Sequence, residues 1–285
     1  MRSNNMLRDG VVTRTGALAG ETRESLARAM IGESMPGGTV TRLATRDSRL
    51  PPVIDLSDVS VPPRDVRSPG IRNATLRIHA GEIVGVAAVE GNGQREFMLA
   101  VAGVLRPEGG TLNIAQPVAL VPEDRTTEGL IPTMSIAENV VLGRGADAAW
   151  TRGPWLDWNA AERATAELLA GYDVRAPGPR SPAAILSGGN QQKLILGRGL
   201  STRPRVLVVE NPTRGLDFRA MSVMHERLRA AAADGVAVLV YSSDLDEVLH
   251  LAHRVVVISG GVLRELEPPL DRNRVGQAML GVEGG

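Results

Sequence analysis

Residues 88–95 read Ala-Val-Glu-Gly-Asn-Gly-Gln-Arg, between an apolar run (81–88) and a segment (94–102) expected to be helical. Strand, glycine-rich turn and helix, in that order, is the layout of a phosphate-cradling loop. In a working G-x-x-x-x-G-K-[ST] loop, backbone N–H groups wrap the phosphates, a lysine neutralises their outer oxygens, and a hydroxyl holds Mg²⁺. Gly91 and Gly93 keep the turn and the close backbone approach. Ala88 stands where the first glycine belongs, Gln94 where the lysine belongs, and Arg95 where the hydroxyl belongs. Lys193 is the only lysine in 285 residues, so no other residue supplies a phosphate-gripping ammonium. Taken alone, the loop reads as a tight strand-to-helix turn more readily than as a nucleotide site.

Three further groups could carry chemistry. Leu186-Ser187-Gly188-Gly189-Asn190-Gln191-Gln192-Lys193 opens a helix with Ser187 as its N-cap, a place where N–H groups and the helix dipole receive anions. The apolar run 205–210 ends on the acid Glu210 and continues into Asn211-Pro212-Thr213-Arg214-Gly215-Leu216-Asp217. Pro122-Glu123-Asp124-Arg125 and Ser242-Ser243-Asp244 complete the set. Asp124 and Arg125 read equally as an ion pair or a functional couple. Other candidates have plainer roles. His79, His225, His250 and His253 lack the spacing of a metal-ligand set and suit surface or capping positions. Asp244, Asp246 and Glu247 read as the start of a helix. Trp150, Trp155 and Trp158 read as local packing ahead of a partner surface, although exposed aromatics can anchor interfaces.

These residues need a scaffold, and the sequence describes one. Strands are expected at 53–60, 74–78, 206–210, 236–241 and 254–259, and helices at 94–102, 159–171 and 220–233. Fully apolar strands separated by helices imply a mostly parallel sheet covered on both faces. The short strands before Gly81 would form a smaller antiparallel layer. Residues 33–52 lack periodicity, are rich in Gly, Pro, Thr and Arg, and read as a linker. The two ends of the chain resemble each other. Met6–Val12 has the pattern of 257–263, and Ala29-Met30-Ile31-Gly32 matches Ala278-Met279-Leu280-Gly281, at nearly equal offsets. Residues 1–32 are therefore expected to be the tail of a preceding, truncated domain.

Composition narrows the class. Thirty-two basic residues balance 32 acidic ones, which argues against a general electrostatic footprint for nucleic acid. The chain has no cysteine, which rules out disulfides and thiolate zinc sites. No apolar run approaches the ~20 residues of a membrane helix. A soluble chain in the cytoplasm is expected. The arginine bias reads as codon usage.

Taken in order, the motifs resemble the ATP-binding cassette ATPases over residues 53–285, with a helical subdomain at about 124–200. L-S-G-G-N-Q-Q-K is similar to the signature motif, V-L-V-V-E-N to a modified Walker B, and R-G-L-D to the D-loop. Glu123 falls at the Q-loop position and Ser243 at the switch-histidine position. V-E-G-N-G-Q, V-P-E-D-R-x-x-E-G-L, P-T-R-G-L-D and S-S-D-L-D-E resemble one sub-group. This is the C-terminal half of tandem-cassette ATPases that power importers of simple sugars (ribose, galactose, xylose) or nucleosides. The resemblance implies ATP and Mg²⁺ as cofactors.

Cassettes of this family pair head to tail, so the resemblance assigns the chain to two sites. Toward a partner's ATP it offers Ser187, Gly188, Gly189, Asn190 and Gln191, with Asp217 in the D-loop. Toward its own it offers Ala88, Glu90, Gly91, Asn92, Gly93, Gln94, Arg95, Glu96, Glu123 and Glu210. Glu210 is the candidate Mg²⁺ ligand. Asn211 occupies the catalytic glutamate position and cannot accept a proton from water, and the adenine-stacking aromatic expected near 61–64 is missing. The own site is expected to hydrolyse ATP weakly or not at all. The implied partners are a cassette with an intact phosphate loop, permease subunits that hold the chain at the inner face of the membrane, and indirectly a solute-binding protein. Nucleic acid is not among them. A mis-started fragment of a longer tandem ATPase is the alternative.

Overall fold

Burial follows residue type along each strand. In the computed structural model, which describes residues 3–8, 11–17, 51–66, 68–144, 150–268 and 270–281, the strands β5 (Ile83–Ala88), β10 (Val206–Glu210) and β11 (Ala237–Tyr241) are buried at every position. They belong to a six-stranded sheet in the order β13-β12-β5-β11-β10-β7, with β7 Val118–Val121, β12 Arg254–Ser259 and β13 Val262–Leu266. All pairings in it are parallel except β12 with β13. Both faces of a parallel sheet must be covered, and helices on each side bury the Val/Ile/Leu-rich strands.

The second layer contains β3 (Ile54–Val61), β4 (Ile71–Ile78) and β6 (Gly109–Ile114), paired antiparallel in the order β4-β3-β6. Burial in β4 alternates along much of the strand, as it does when one face is wet. Its third strand comes from beyond the phosphate-loop helix, so the layer is not confined to residues before Gly81 as expected. The sequence 109–114 opens on two glycines and a threonine and has only Leu112 and Ile114 as apolar side chains, too short an alternation to mark a strand.

Helix α1 (Gln94–Val101) fills the space between the layers, with Phe97 and Met98 packed among β3, β4, β10 and β11 residues. The opposite face of the core sheet carries a helical region: α2 (Ile136–Arg144), α3 (Trp158–Gly171) and α4 (Gly188–Ser201). A small hairpin, β8 (Thr151–Arg152) with β9 (Trp155–Leu156), precedes α3. Helices α5 (Phe218–Ala233), α6 (Leu245–Leu251) and α7 (Arg272–Met279) complete the order. Helix α6 lies so close to β5 that a Cβ on Gly85 would meet Val248 Cγ1 at 2.5 Å and Ala252 Cβ at 2.8 Å.

The expected strands and helices are present, with no end displaced by more than three residues. At the start of the chain β1 (Ser3–Arg8) and β2 (Val11–Ala17) form an antiparallel pair, as β12 and β13 do. The matching segment 29–32 and most of the 33–52 linker lie outside the described residues. The tryptophans divide. Trp150 is buried under the Arg144 guanidinium, whereas Trp155 and Trp158 are exposed. No helix among the described residues is long and apolar enough to cross a membrane.

Candidate functional site

The loop after β5 ends at Gly93, whose φ of 98° starts α1 from a left-handed residue. A Cβ there would collide with the Gly70 carbonyl oxygen, so glycine is required. Asn92 stitches the loop to the β12–β13 hairpin. Its Nδ2 donates to Val89 O at 2.9 Å, and Gly260 N donates to its Oδ1 at 2.7 Å. Gly261 N donates to its carbonyl oxygen at 3.0 Å. Glu90 and Gly91 are exposed, while Ala88 is buried at the strand end. Glu96 is buried and accepts the Arg64 backbone N–H at 3.1 Å.

The two substituted positions have partners inside the chain. Gln94 is buried, and its Oε1 accepts the N–H of Asn92 within the loop at 3.0 Å. Arg95 spans two carboxylates, Nη1 pairing with Glu210 and Nη2 with Glu128. Burial pushes the Glu210 carboxyl up, and the guanidinium pulls it back. Burial alone would lower Arg95, but its bonds to Glu128 and Glu210 outweigh that and leave it raised.

Beside them, Asn211 braces two loops. It has a left-handed φ of 43° and donates its backbone N–H to Tyr241 O at 2.7 Å. Its Nδ2 donates to Glu123 Oε2 at 2.6 Å, and its Oδ1 accepts the Ser243 N–H at 2.7 Å. The Arg214 guanidinium holds the other oxygen of Glu123. The amide has one arm for a donor and one for an acceptor, and both are used. Asn211→Asp places a second carboxylate against Glu123. The expected loss is about 2 kcal/mol of stability at neutral pH, because a buried hydrogen bond becomes a repulsion. The like charge raises the folded-state carboxyl pKa values, so the deficit shrinks as pH falls; urea unfolding at several pH values measures it.

The signature face is built differently. Ser187 caps α4 by accepting the Asn190 N–H at 3.4 Å and the Asn190 Nδ2 at 3.1 Å. Ser187 is exposed, and Gly188, Gly189, Asn190 and Gln191 are half-buried. Arg125 ties this turn to the next loop, donating to Gly188 O at 3.4 Å and Arg214 O at 3.3 Å. Asp124 does not pair with it. Its carboxylate accepts from Thr126 and Thr127, which hold it far below the usual carboxylate range. Asp217 caps α5, accepting Ala220 N–H at 2.8 Å. Lys193 turns away and reaches Asp173 at the end of α3, with its Nζ 2.8 Å from the carbonyl oxygen and 2.9 Å from Oδ2. The lone lysine is a clamp between helices.

Several contributors were not singled out from sequence. Glu128 lies in the V-P-E-D-R-x-x-E-G-L stretch, and the acid at its eighth position was the available signal. Ser242, Glu247 and His225 were each read separately, and no sequence signal joined them into the buried set they form. Ser242 Oγ donates to Glu247 at 2.5 Å, and His225 Nε2 lies 2.8 Å from it. His225 is thus a buried partner of α6, where a surface or capping position was expected. Among the described residues no group of three or more His, Cys, Asp or Glu side chains is arranged to hold a metal ion.

The family profile described as ABC transporter matches residues 71–214, which takes in the phosphate-loop position, the signature turn and the β10 acid. The chain belongs to the ABC transporter family. Solved ABC proteins share its fold. An ATP-binding cassette determined as a dimer with ADP and Pi superposes with a TM-score of 0.62 at 20% identity, covering 75% of this chain and 98% of that one. The ATP-binding subunit of another ABC transporter gives 0.60 at 18%, covering 82% and 95%.

Curated ABC relatives are more similar in sequence. The nucleoside import ATP-binding protein NupA of Lactococcus lactis is 34% identical over 97% of this chain and 57% of its own length. The ribose import ATP-binding protein RbsA 2 of Streptomyces avermitilis is 34% identical over 90% and 51%. The guanosine import ATP-binding protein NupO of Bacillus subtilis is 31% identical over 92% and 54%. The chain spans about half the length of these ABC relatives.

Proposed function

We propose that this chain is an ATP-binding subunit of an importer for simple sugars or nucleosides, and that it works as a degenerate second cassette. Its Ser187-Gly188-Gly189 turn completes the ATP site of a partner cassette that carries an intact phosphate loop. The observation that carries this is the contrast between its two faces. On its own side, Arg95 is locked onto Glu210 and Asn211 is locked between Glu123 and Ser243. On the signature side, a helix capped by the exposed Ser187 has Gly188 and Gly189 in its first turn, with a dipole suited to a phosphate held by another molecule.

The printed names of the relatives supply the substrate classes, nucleosides and ribose among them. Contact with permease subunits at the inner face of the membrane is supported by exposed apolar side chains on the β8–β9 hairpin and on α2. Trp155 is 76% exposed and Leu142 is 58% exposed, more than packing would leave. A solute-binding protein acts through the permease. ATP and Mg²⁺ enter with the partner's phosphate loop.

Mixing decides the matter. Alone, the chain is expected to release phosphate from ATP at background rate, and addition of a cassette with G-K-[ST] restores hydrolysis. Hydrolysis by the isolated chain that disappears in Asn211→Ala would sink this proposal.

A further inference from the structure

Glu210 and the loop residues do not fit a magnesium ion. Mg²⁺ needs an octahedron of oxygens at about 2.0–2.1 Å and ordinarily draws on a hydroxyl and a carboxylate in such a loop. The hydroxyl position carries the Arg95 guanidinium. The carboxylate, on a side chain only 2% exposed, already serves Arg95 Nη1 and, at 3.4 Å, the Glu123 N–H through the same oxygen. A dication brought to that oxygen would stand against a fixed positive group.

The loop N–H of Asn92 is likewise spoken for. In a phosphate cradle it would face an anionic oxygen, and here it donates to the buried Gln94 Oε1. The surroundings do not favour a triphosphate without a metal. Glu128 and Glu210 pair with Arg95, Glu123 pairs with Arg214 and donates its N–H to Glu210, and Glu96 accepts the Arg64 N–H, four carboxylates against the guanidinia of Arg95 and Arg214.

We infer that Gln94 and Arg95 hold, within the chain, the places of a phosphate oxygen and its magnesium ion, so that the chain's own phosphate-loop side takes no Mg-nucleotide. The Gln94 carbonyl oxygen is the internal acceptor and the Arg95 guanidinium the internal cation. Asn211, fixed between Glu123 and Ser243, holds the flanking loops as a set. The side is permanently preset rather than responsive. The inference rests on the assignment of two unequal faces made above, and it goes further by removing nucleotide from one of them.

The test uses the purified full chain and ATP, followed by thermal unfolding and calorimetric titration in Mg²⁺ and in EDTA. The wild-type melting temperature is expected to stay within about 1 °C at ~1 mM ATP in either medium, as linkage requires for a ligand that does not bind. The double variant Gln94→Lys/Arg95→Thr restores an ammonium and a hydroxyl, and is expected to bind ATP at least about tenfold more tightly with Mg²⁺ than without. Wild-type stabilisation by Mg-ATP that Glu210→Ala removes overturns the inference. A folded double variant that gains no ATP binding overturns it as well. If the double variant does not fold, the wild-type titration decides alone. None of these results touches hydrolysis by the mixed pair of cassettes, which judges the proposed function separately.

Discussion

In a pair with a cassette that has an intact phosphate loop, Ser187→Arg is expected to lower ATP hydrolysis on the order of a hundredfold or more, the scale on which loss of preorganised donors at a developing charge is felt. Ser187 is exposed at the N-terminus of α4, and its hydroxyl caps the first turn. Arginine removes the cap and fills the space in front of the Gly188 and Gly189 N–H groups with a long side chain. The fold has little stake in this position. Losing an N-cap costs about 1 kcal/mol, so the variant melts about 2 °C lower and remains folded at assay temperature. Phosphate release by the pair, with circular dichroism of the variant alone, separates the two effects. A pair that keeps wild-type turnover with Ser187→Arg would remove the signature turn from the catalytic assembly.

Removal of Arg95 has its effect on stability. Arg95→Ala leaves the buried Glu210 carboxylate without its cation, and breaking such a pair is expected to destabilise by about 3 kcal/mol. In melting temperature that is about 5 °C for a chain of this size. The pH dependence has a definite sign. Burial raises the folded-state pKa of Glu210 above its unfolded value, and Arg95 opposes that shift. Without Arg95 the folded carboxyl rises further, so the folded state binds a proton that the unfolded state releases. The deficit is therefore largest near neutrality and shrinks as pH falls through the raised Glu210 pKa. Glu210→Gln placed on top of Arg95→Ala removes the buried charge and is expected to recover most of the loss, a coupling that a double-mutant cycle measures. A deficit that stays constant from pH 8 to pH 5 would show that Glu210 does not carry it.

Much of the scaffold was legible because burial and residue type coincide. The runs at β5, β10, β11 and β12 are almost wholly apolar, and such runs have no other place in a covered sheet. Strand β6 was not legible, since Gly109, Gly110 and Thr111 carry no alternation and the strand exists by pairing with β3. The order of motifs located the candidate site, down to the substitutions at Gln94, Arg95 and Asn211. The consequences of those substitutions depend on residues far away in sequence. Arg95 finds Glu128 and Glu210, and Asn211 finds Glu123 and Ser243, through loop geometry that no local pattern encodes. The sequence shows which motif positions are substituted, and the structure shows which residues the substitutes meet.

The clamp formed by Lys193 has a practical side. Its amine is the only one on a side chain, and it is 18% exposed and bonded to Asp173. Apart from the α-amino group, reagents that acylate amines meet a single partly shielded target. Cross-linkers with amine-reactive ends will therefore map almost none of this molecule's contacts, however extensive they are. Carboxylate-coupling or arginine-directed reagents suit its 31 arginines and 32 acids far better. The same scarcity makes Lys193 a ready single-site tag at the junction of α3 and α4, once Asp173→Asn has loosened it.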